Sequence, residues 1–266
     1  MGATGRFPSA AVRTELPHHC VDIVEPSESF SVAQYVECAD RAIADIAAAG
    51  EPAWAVGGTS LYIKALSEGL FEGPSADADI RRELSARARI EGLAVLHAEL
   101  AEVDPEAGAR IHPNDEKRIV RAMEVYRITG TPITELQRQW DSGAKRHDAA
   151  YIGIRRDRAD QSRRINLRAK MMMEAGLRDE VAALLAEPDG LSPQAAQAVG
   201  YAEMIDHIQG RCSLDQAFER IKINTRRLAK KQRTWHRRFQ GVTWLDAEPD
   251  ETPEALAERA IEILGL

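Results

Sequence analysis

Between Arg220 and Arg238 the chain places nine Lys or Arg residues and no acid. The stretch follows Ser213, which forms a capping box with Gln216 and so opens a helix. At about 100° per residue, Leu214, Phe218, Ile221, Leu228, Trp235 and Phe239 fall in one arc, while Lys222, Arg226, Lys230, Arg233 and Arg237 share another spanning roughly 80°. One face is expected to be buried and another to form a cationic rail. A solvated face accounts for most charge runs; here unbalanced cations repel one another in a chain of net charge −7, which favours a polyanion partner. Trp235 and His236 could stack on a base, although the apolar arc assigns Trp235 to the core.

Two further segments carry candidate chemistry. In Gly57-Gly58-Thr59, glycines at a strand-to-helix junction would let backbone approach a ligand, and the Thr59 hydroxyl would point into the same crevice. A structural turn with Thr59 as helix cap explains these residues equally well. In Ile111-His112-Pro113-Asn114-Asp115, Asn114 is the expected N-cap and Asp115 and Glu116 suit the first helical turn. Lys117, Arg118 and Arg121 follow within reach of one another and could grip phosphates, or simply form a solvated helix face. His18 and His19 have no carboxylate or cysteine pattern beside them that would make them metal ligands. Cys20, Cys38 and Cys212 have no metal-ligand spacing and are expected to be buried thiols.

The elements that must position these residues alternate between strand and helix, the pattern of an α/β sheet. Cys20 to Val24 and Ala53 to Val56 are strand candidates. Between them, Ser31 and Gln34 form a capping box for a helix that Gly50 ends. Leu61, Tyr62, Ala65 and Leu66 continue from the glycine turn as a helix. From about Asp77 to Gly143 the periodicity is helical throughout, the pattern of an insertion. Tyr151 to Ile154 and Val242 to Leu245 restore strands, and a last helix opens at Thr252-Pro253 and ends near Gly265. The expected domains are an α/β core over 1–76 and 146–266 and a helical insertion over 77–145. With 266 residues, 44% of them hydrophobic, the chain has material for one large or two small domains. It has neither a membrane-spanning apolar run nor an N-terminal secretion signal, so a cytoplasmic protein is expected.

Together these segments resemble the bacterial tRNA dimethylallyltransferase family, also called tRNA isopentenyltransferase. The resemblance runs in order through Pro17-His18-His19-Cys20-Val21-Asp22-Ile23, Gly57-Gly58-Thr59-Ser60-Leu61-Tyr62, Pro74-Ser75-Ala76-Asp77 and Ile111-His112-Pro113-Asn114-Asp115. It continues through Gly176-Leu177-Arg178-Asp179-Glu180-Val181, Ala198-Val199-Gly200-Tyr201 and Ala229-Lys230-Lys231-Gln232-Arg233-Thr234-Trp235. The family implies a P-loop-type parallel-sheet core with a helical insertion. It also implies transfer of a dimethylallyl group from dimethylallyl diphosphate to the exocyclic amine of the adenosine 3′-adjacent to the anticodon in tRNA. The target base would be flipped from its stack, and magnesium would help bind the diphosphate.

By the same resemblance, Thr59 is the catalytic candidate, and Thr59 and Arg81 contact tRNA near the flipped base, with Gly57 and Gly58 lining the substrate crevice. Lys117, Arg118 and Arg121 fall on a tRNA-contacting segment of the insertion. Lys222, Arg226, Arg227, Lys230, Lys231, Gln232, Arg233 and Arg237 fall on two more in the basic helix. A monomer is expected.

The sequence departs from the family in having no Gly-Lys-Ser/Thr phosphate loop and no following Asp-Ser segment, whose aspartate would be the general base. Met1 to Pro8 would align beyond both, so an N-terminally incomplete core is expected, with weak or no activity for these residues alone. The competing readings are a non-catalytic tRNA-binding protein derived from the family and a prenyltransferase acting on free adenine nucleotides. A small substrate would need neither the insertion nor the basic helix.

Overall fold

The computed structural model describes residues 10–70, 73–138 and 145–265; Met1 to Pro8 and Gly143 lie outside them. The chain divides into two compact units, one of residues up to Lys64 together with Asp148 onward, the other Ala65–His147.

The described part of the second unit is built of helices. Ala78–Ile90, Leu93–Val103, Pro105–Arg110, Glu116–Thr129 and Ile133–Gln137 enclose a core that includes Leu84, Leu96, Leu100, Ile119, Met123 and Val125. Their ends are set locally. Asp77 caps the first helix by accepting from the amides of Asp79 (2.9 Å) and Ile80 (3.0 Å). Asp104 is buried and fully occupied: it accepts from the Ala107 amide at 2.9 Å, the Thr134 amide at 3.1 Å and the Thr134 hydroxyl at 2.8 Å. One carboxylate thus caps one helix and pins the next, which is how a buried acid is tolerated. Gly108 permits a close crossing, since a Cβ there would lie 2.7 Å from Ala101 Cα. The helix after Asn114 is capped by Asp115, whose side chain accepts from the Arg118 amide. The cap expected at Asn114 sits one residue later, and the Asn114 amide donates to the His112 ring at 3.1 Å instead.

In the other unit, β1 (Tyr151–Arg156) and β2 (Val242–Ala247) pair in parallel with Tyr151 opposite Val242 and Arg156 opposite Ala247. Arg155, opposite Asp246 in this register, makes a bidentate bond to it, 2.8 and 2.7 Å. Helices Arg158–Glu174, Leu177–Ala186, Tyr201–Ile208 and Leu214–His236 pack around Ala169, Leu177, Val181, Met204, Ala217 and Ile221. Ser31 and Gln34 form the expected capping box on Val32–Ala48. Thr252 caps Pro253–Leu264, which ends at a left-handed Gly265.

The α/β class stands, with its described sheet reduced to β1 and β2. The strands expected at Cys20 to Val24 and Ala53 to Val56 do not form. Cys20 (φ 59°) and Asp22 (φ 52°) are left-handed, which no strand accommodates. Ala53 to Val56 has no ladder partner among the described residues, and Val56 is 98% exposed. Apolar β-branched composition marks residues that suit a strand, but pairing makes one. The cysteines are free and partly exposed rather than buried.

Candidate nucleic-acid interface

The helix Leu214–His236 starts as its sequence dictates: the Ser213 hydroxyl accepts from the Gln216 amide, and the Gln216 side chain accepts from the Ser213 amide at 3.0 Å. Its buried stripe is Ala217, Ile221 and Ala229, narrower than the apolar arc predicts. Leu214, Leu228 and Trp235 are exposed, the last at 38%. Two alanines flanking Ile221 make that stripe, and the larger residues at its margin remain in solvent. Trp235 therefore does not belong to the core; the Arg238 guanidinium lies 5.9 Å from its ring centroid.

The cations divide by partner. Arg220 pairs with Asp206 at 3.4 Å, and Lys222 pairs with Glu219 at 2.6 Å while lying over the Phe218 ring. The remaining cations make no ion pair among the described residues. Arg226 donates to the Asn166 side-chain oxygen at 2.7 Å, Arg233 to that of Gln161, and Arg227 to that of Asn224 at 3.2 Å. Lys230, Lys231, Arg237 and Arg238 are exposed. Neutral amides orient these guanidinium groups without cancelling their charge. Such a surface holds counterions until a polyanion displaces them.

Gln232 serves a different purpose from its charged neighbours. Its side-chain amide donates to the Gly58 carbonyl at 2.9 Å, joining the basic helix to the glycine turn. A Cβ on Gly58 would sit 2.7 Å from that amide nitrogen, whereas one on Gly57 would meet nothing. The close approach that this glycine permits is thus to Gln232. Thr59 opens the helix Ser60–Glu68 through its carbonyl, which accepts from the Ile63 amide at 3.0 Å. Its hydroxyl makes no hydrogen bond among the described residues and the residue is exposed, so side-chain capping does not account for it.

In the helical unit, Arg81 and Arg121 converge on Glu124. This carboxylate is fully buried and accepts Arg81 Nε at 2.9 Å on Oε1, Arg81 Nη2 at 3.1 Å and Arg121 Nη1 at 2.6 Å on Oε2, and the Asp77 amide at 2.7 Å. Arg121 also donates to the Pro74 carbonyl at 2.8 Å. Burial alone would push the Glu124 carboxyl up, but the bonds from Arg121, Arg81 and the Asp77 amide outweigh it and hold the group below the usual range. Both arginines therefore spend donors inside the protein, a structural task that the sequence reading did not assign to them. Arg118 pairs with its own cap, Asp115. Lys117 occupies the first turn of the same helix.

Among the described residues no group of three or more His, Cys, Asp or Glu side chains is placed to hold a metal ion. His18 instead faces the Leu16 carbonyl at 2.6 Å. No helix among the described residues is long and apolar enough to cross a membrane.

The family model for IPP transferase matches residues 4–239. The chain belongs to the IPP transferase family. Among its relatives in that family, the tRNA dimethylallyltransferase of Geobacter sulfurreducens is 45% identical over 241 residues, covering 90% of this chain and 77% of the relative. That of Anaeromyxobacter dehalogenans is 42% identical over 252 residues, covering 95% and 83%. The solved full-length tRNA isopentenylpyrophosphate transferase of Bacillus halodurans superposes with a TM-score of 0.66 at 36% identity, covering 97% of this chain and 80% of that one. A eukaryotic dimethylallyltransferase acting on tRNA shares the fold, with a TM-score of 0.80 at 23% identity over 97% of this chain and 67% of its own.

Proposed function

We propose that this chain acts in tRNA modification, moving a dimethylallyl group from dimethylallyl diphosphate to the exocyclic amine of the adenosine 3′-adjacent to the anticodon. The observation that carries the reading is the set of cations on Leu214–His236 with no acidic partner among the described residues, in a family whose relatives are named for this reaction. In the transfer, the amine nitrogen bonds to the allylic carbon, the carbon–oxygen bond breaks with its electrons passing to the diphosphate, and the amine gives up a proton to water. Presenting that amine requires the base out of its stack. The Thr59 hydroxyl, unbonded among the described residues beside the glycine turn, is the side chain we assign to the flipped nucleotide. Arg81 and Arg121 contribute in this reading by shaping the helical unit, with Lys117 and Arg118 on its RNA-facing segment. Magnesium, if it accompanies the diphosphate, would be held largely by phosphate oxygens.

The test is filter binding of unmodified tRNA across a salt series. Affinity should fall steeply as salt rises, because phosphate contacts release counterions. Changing Lys222, Arg226, Lys230, Arg233 and Arg237 together to Ser should abolish binding, with the weight on the last four since Lys222 is already paired with Glu219. Parent-like binding by that variant would overturn the proposal.

A further inference from the structure

The basic helix shares a cavity with a helix that no motif singled out. Arg158, Gln161, Ser162 and Ile165 of Arg158–Glu174 face Arg226, Ala229 and Arg233 around a space of about 150 Å³. This is room for several waters, or for one phosphate group with part of its solvent. Three guanidinium groups therefore line one small cavity, and no carboxylate is among its lining residues.

The acids at the start of Arg158–Glu174 are committed elsewhere. Asp157 caps its helix through the amides of Ala159 (2.7 Å) and Asp160 (3.2 Å). Asp160, itself buried, accepts from Arg163 at 2.7 Å and from Arg164 at 2.9 Å. Meanwhile Gln161 and Asn166 hold Arg233 and Arg226 through neutral oxygens, and Arg158 makes no ion pair among the described residues. Three like charges kept together without a counterion repel one another. Two of them are held in place by side-chain amides, which is what a preformed anion seat requires, and guanidinium forks match the oxygens of a phosphate.

The geometry points to a phosphate seat formed by Arg158, Arg226 and Arg233, with Gln161 as its positioning residue, and the ligand we assign to it is a backbone phosphodiester of the bound RNA. This rests on the proposed RNA substrate and extends it to a second helix. Arg158 becomes an RNA-binding residue, and the RNA path crosses from Leu214–His236 onto the start of Arg158–Glu174. The diphosphate of the prenyl donor offers the same chemistry and is the alternative source to exclude.

The experiment measures RNA affinity of the full chain against salt for the parent, Arg158→Ser, Gln161→Leu and Lys170→Ser. The last removes an exposed cation from the far end of the same helix. Arg158→Ser should lower the slope of log affinity against log salt by about one contact's worth, 0.7 to 0.9. Lys170→Ser should leave the slope as in the parent. Gln161→Leu, which changes no charge, should weaken binding in proportion to the lost hold on Arg233. Calorimetric titration of inorganic pyrophosphate into the parent and Arg158→Ser separates the two sources. An Arg158→Ser slope equal to that of the parent overturns the seat while leaving RNA binding intact. The same result with pyrophosphate binding that Arg158→Ser abolishes moves the seat to the donor. A parent that binds no RNA at low salt overturns both this inference and the proposed function.

Discussion

Glu124→Gln isolates the ion network of the helical unit with little change of shape. On the Oε1 side the amide oxygen can still accept from the Asp77 amide and Arg81 Nε. On the Oε2 side an NH2 group now meets Arg121 Nη1 and Arg81 Nη2, two donors that were 2.6 and 3.1 Å from oxygen. Two charge-assisted bonds at about 1.5–3 kcal/mol each would sum to about 3–6 kcal/mol. Arg81, with a side chain 45% exposed, recovers part of its loss from water. The expected cost is about 3 kcal/mol, the lower end for breaking a buried pair. Urea unfolding followed by far-UV circular dichroism would show it as a midpoint lowered by about 1–3 M at usual slopes. A combined Glu124→Leu, Arg81→Leu, Arg121→Met variant should recover most of the loss, because no charge is then left buried. A cost below about 1 kcal/mol for Glu124→Gln, the size of a surface pair, would refute the view that this carboxylate organises the unit.

Because the Glu124 carboxyl is held down in the folded state, its contribution is complete above the ordinary carboxylate value of about 4.3 and is lost as pH falls through the depressed folded value; urea midpoints of Glu124→Gln should therefore fall less steeply with acid than those of the parent, the remaining limb coming from other depressed carboxylates such as Asp160. Thr59→Ala in a catalytically competent protein should lower the transfer rate with at most a small loss of stability, since even a lost helix cap costs only about 1 kcal/mol; a large fall in melting temperature with normal turnover would return Thr59 to a structural role. In a single-turnover assay with labelled dimethylallyl diphosphate, magnesium and unmodified tRNA, a chain with no Gly-Lys-Ser/Thr run should yield little product, because a diphosphate leaving group needs aligned donors that a phosphate loop supplies, each worth about 3–4 kcal/mol. Product in high yield would show that the donors lie elsewhere within the present sequence.

The local signals in the sequence carried well into the structure. Ser31 with Gln34, Ser213 with Gln216 and Thr252 with Pro253 each open the helix they were expected to open, because capping is settled within four residues of chain. Long-range consequences were less legible. Ala53 to Val56 has strand composition, yet whether it becomes a strand depends on residues elsewhere offering a ladder. Glu124 reads as one more polar residue in Glu116–Thr129, and nothing nearby announces that Arg81, more than forty positions earlier, closes over it. The width of the apolar face on Leu214–His236 was overestimated because periodicity weighs Leu228 and Trp235 above the alanines that set helix–helix distance. Arg158 escaped notice for the opposite reason: its significance comes wholly from Arg226 and Arg233, which reach it only through folding.

The bond from Gln232 to the Gly58 carbonyl means that two distant stretches of the gene share one atom-sized vacancy. Any side chain at position 58 enters the space now filled by the end of the Gln232 side chain. The collision itself is cheap, since a flexible amide can swing aside; what is forfeited is a hydrogen bond of about 1 kcal/mol and, with it, the tether of the cationic helix. Drift at either position is therefore conditional on the other. A shorter residue at 232 removes the reason for glycine at 58, and an alanine at 58 removes the reason for glutamine at 232. In a lineage of this enzyme family the two should be gained and lost as a pair, and a chain that kept one without the other would have found a different way to register its RNA-facing helix against the turn that begins at Gly57.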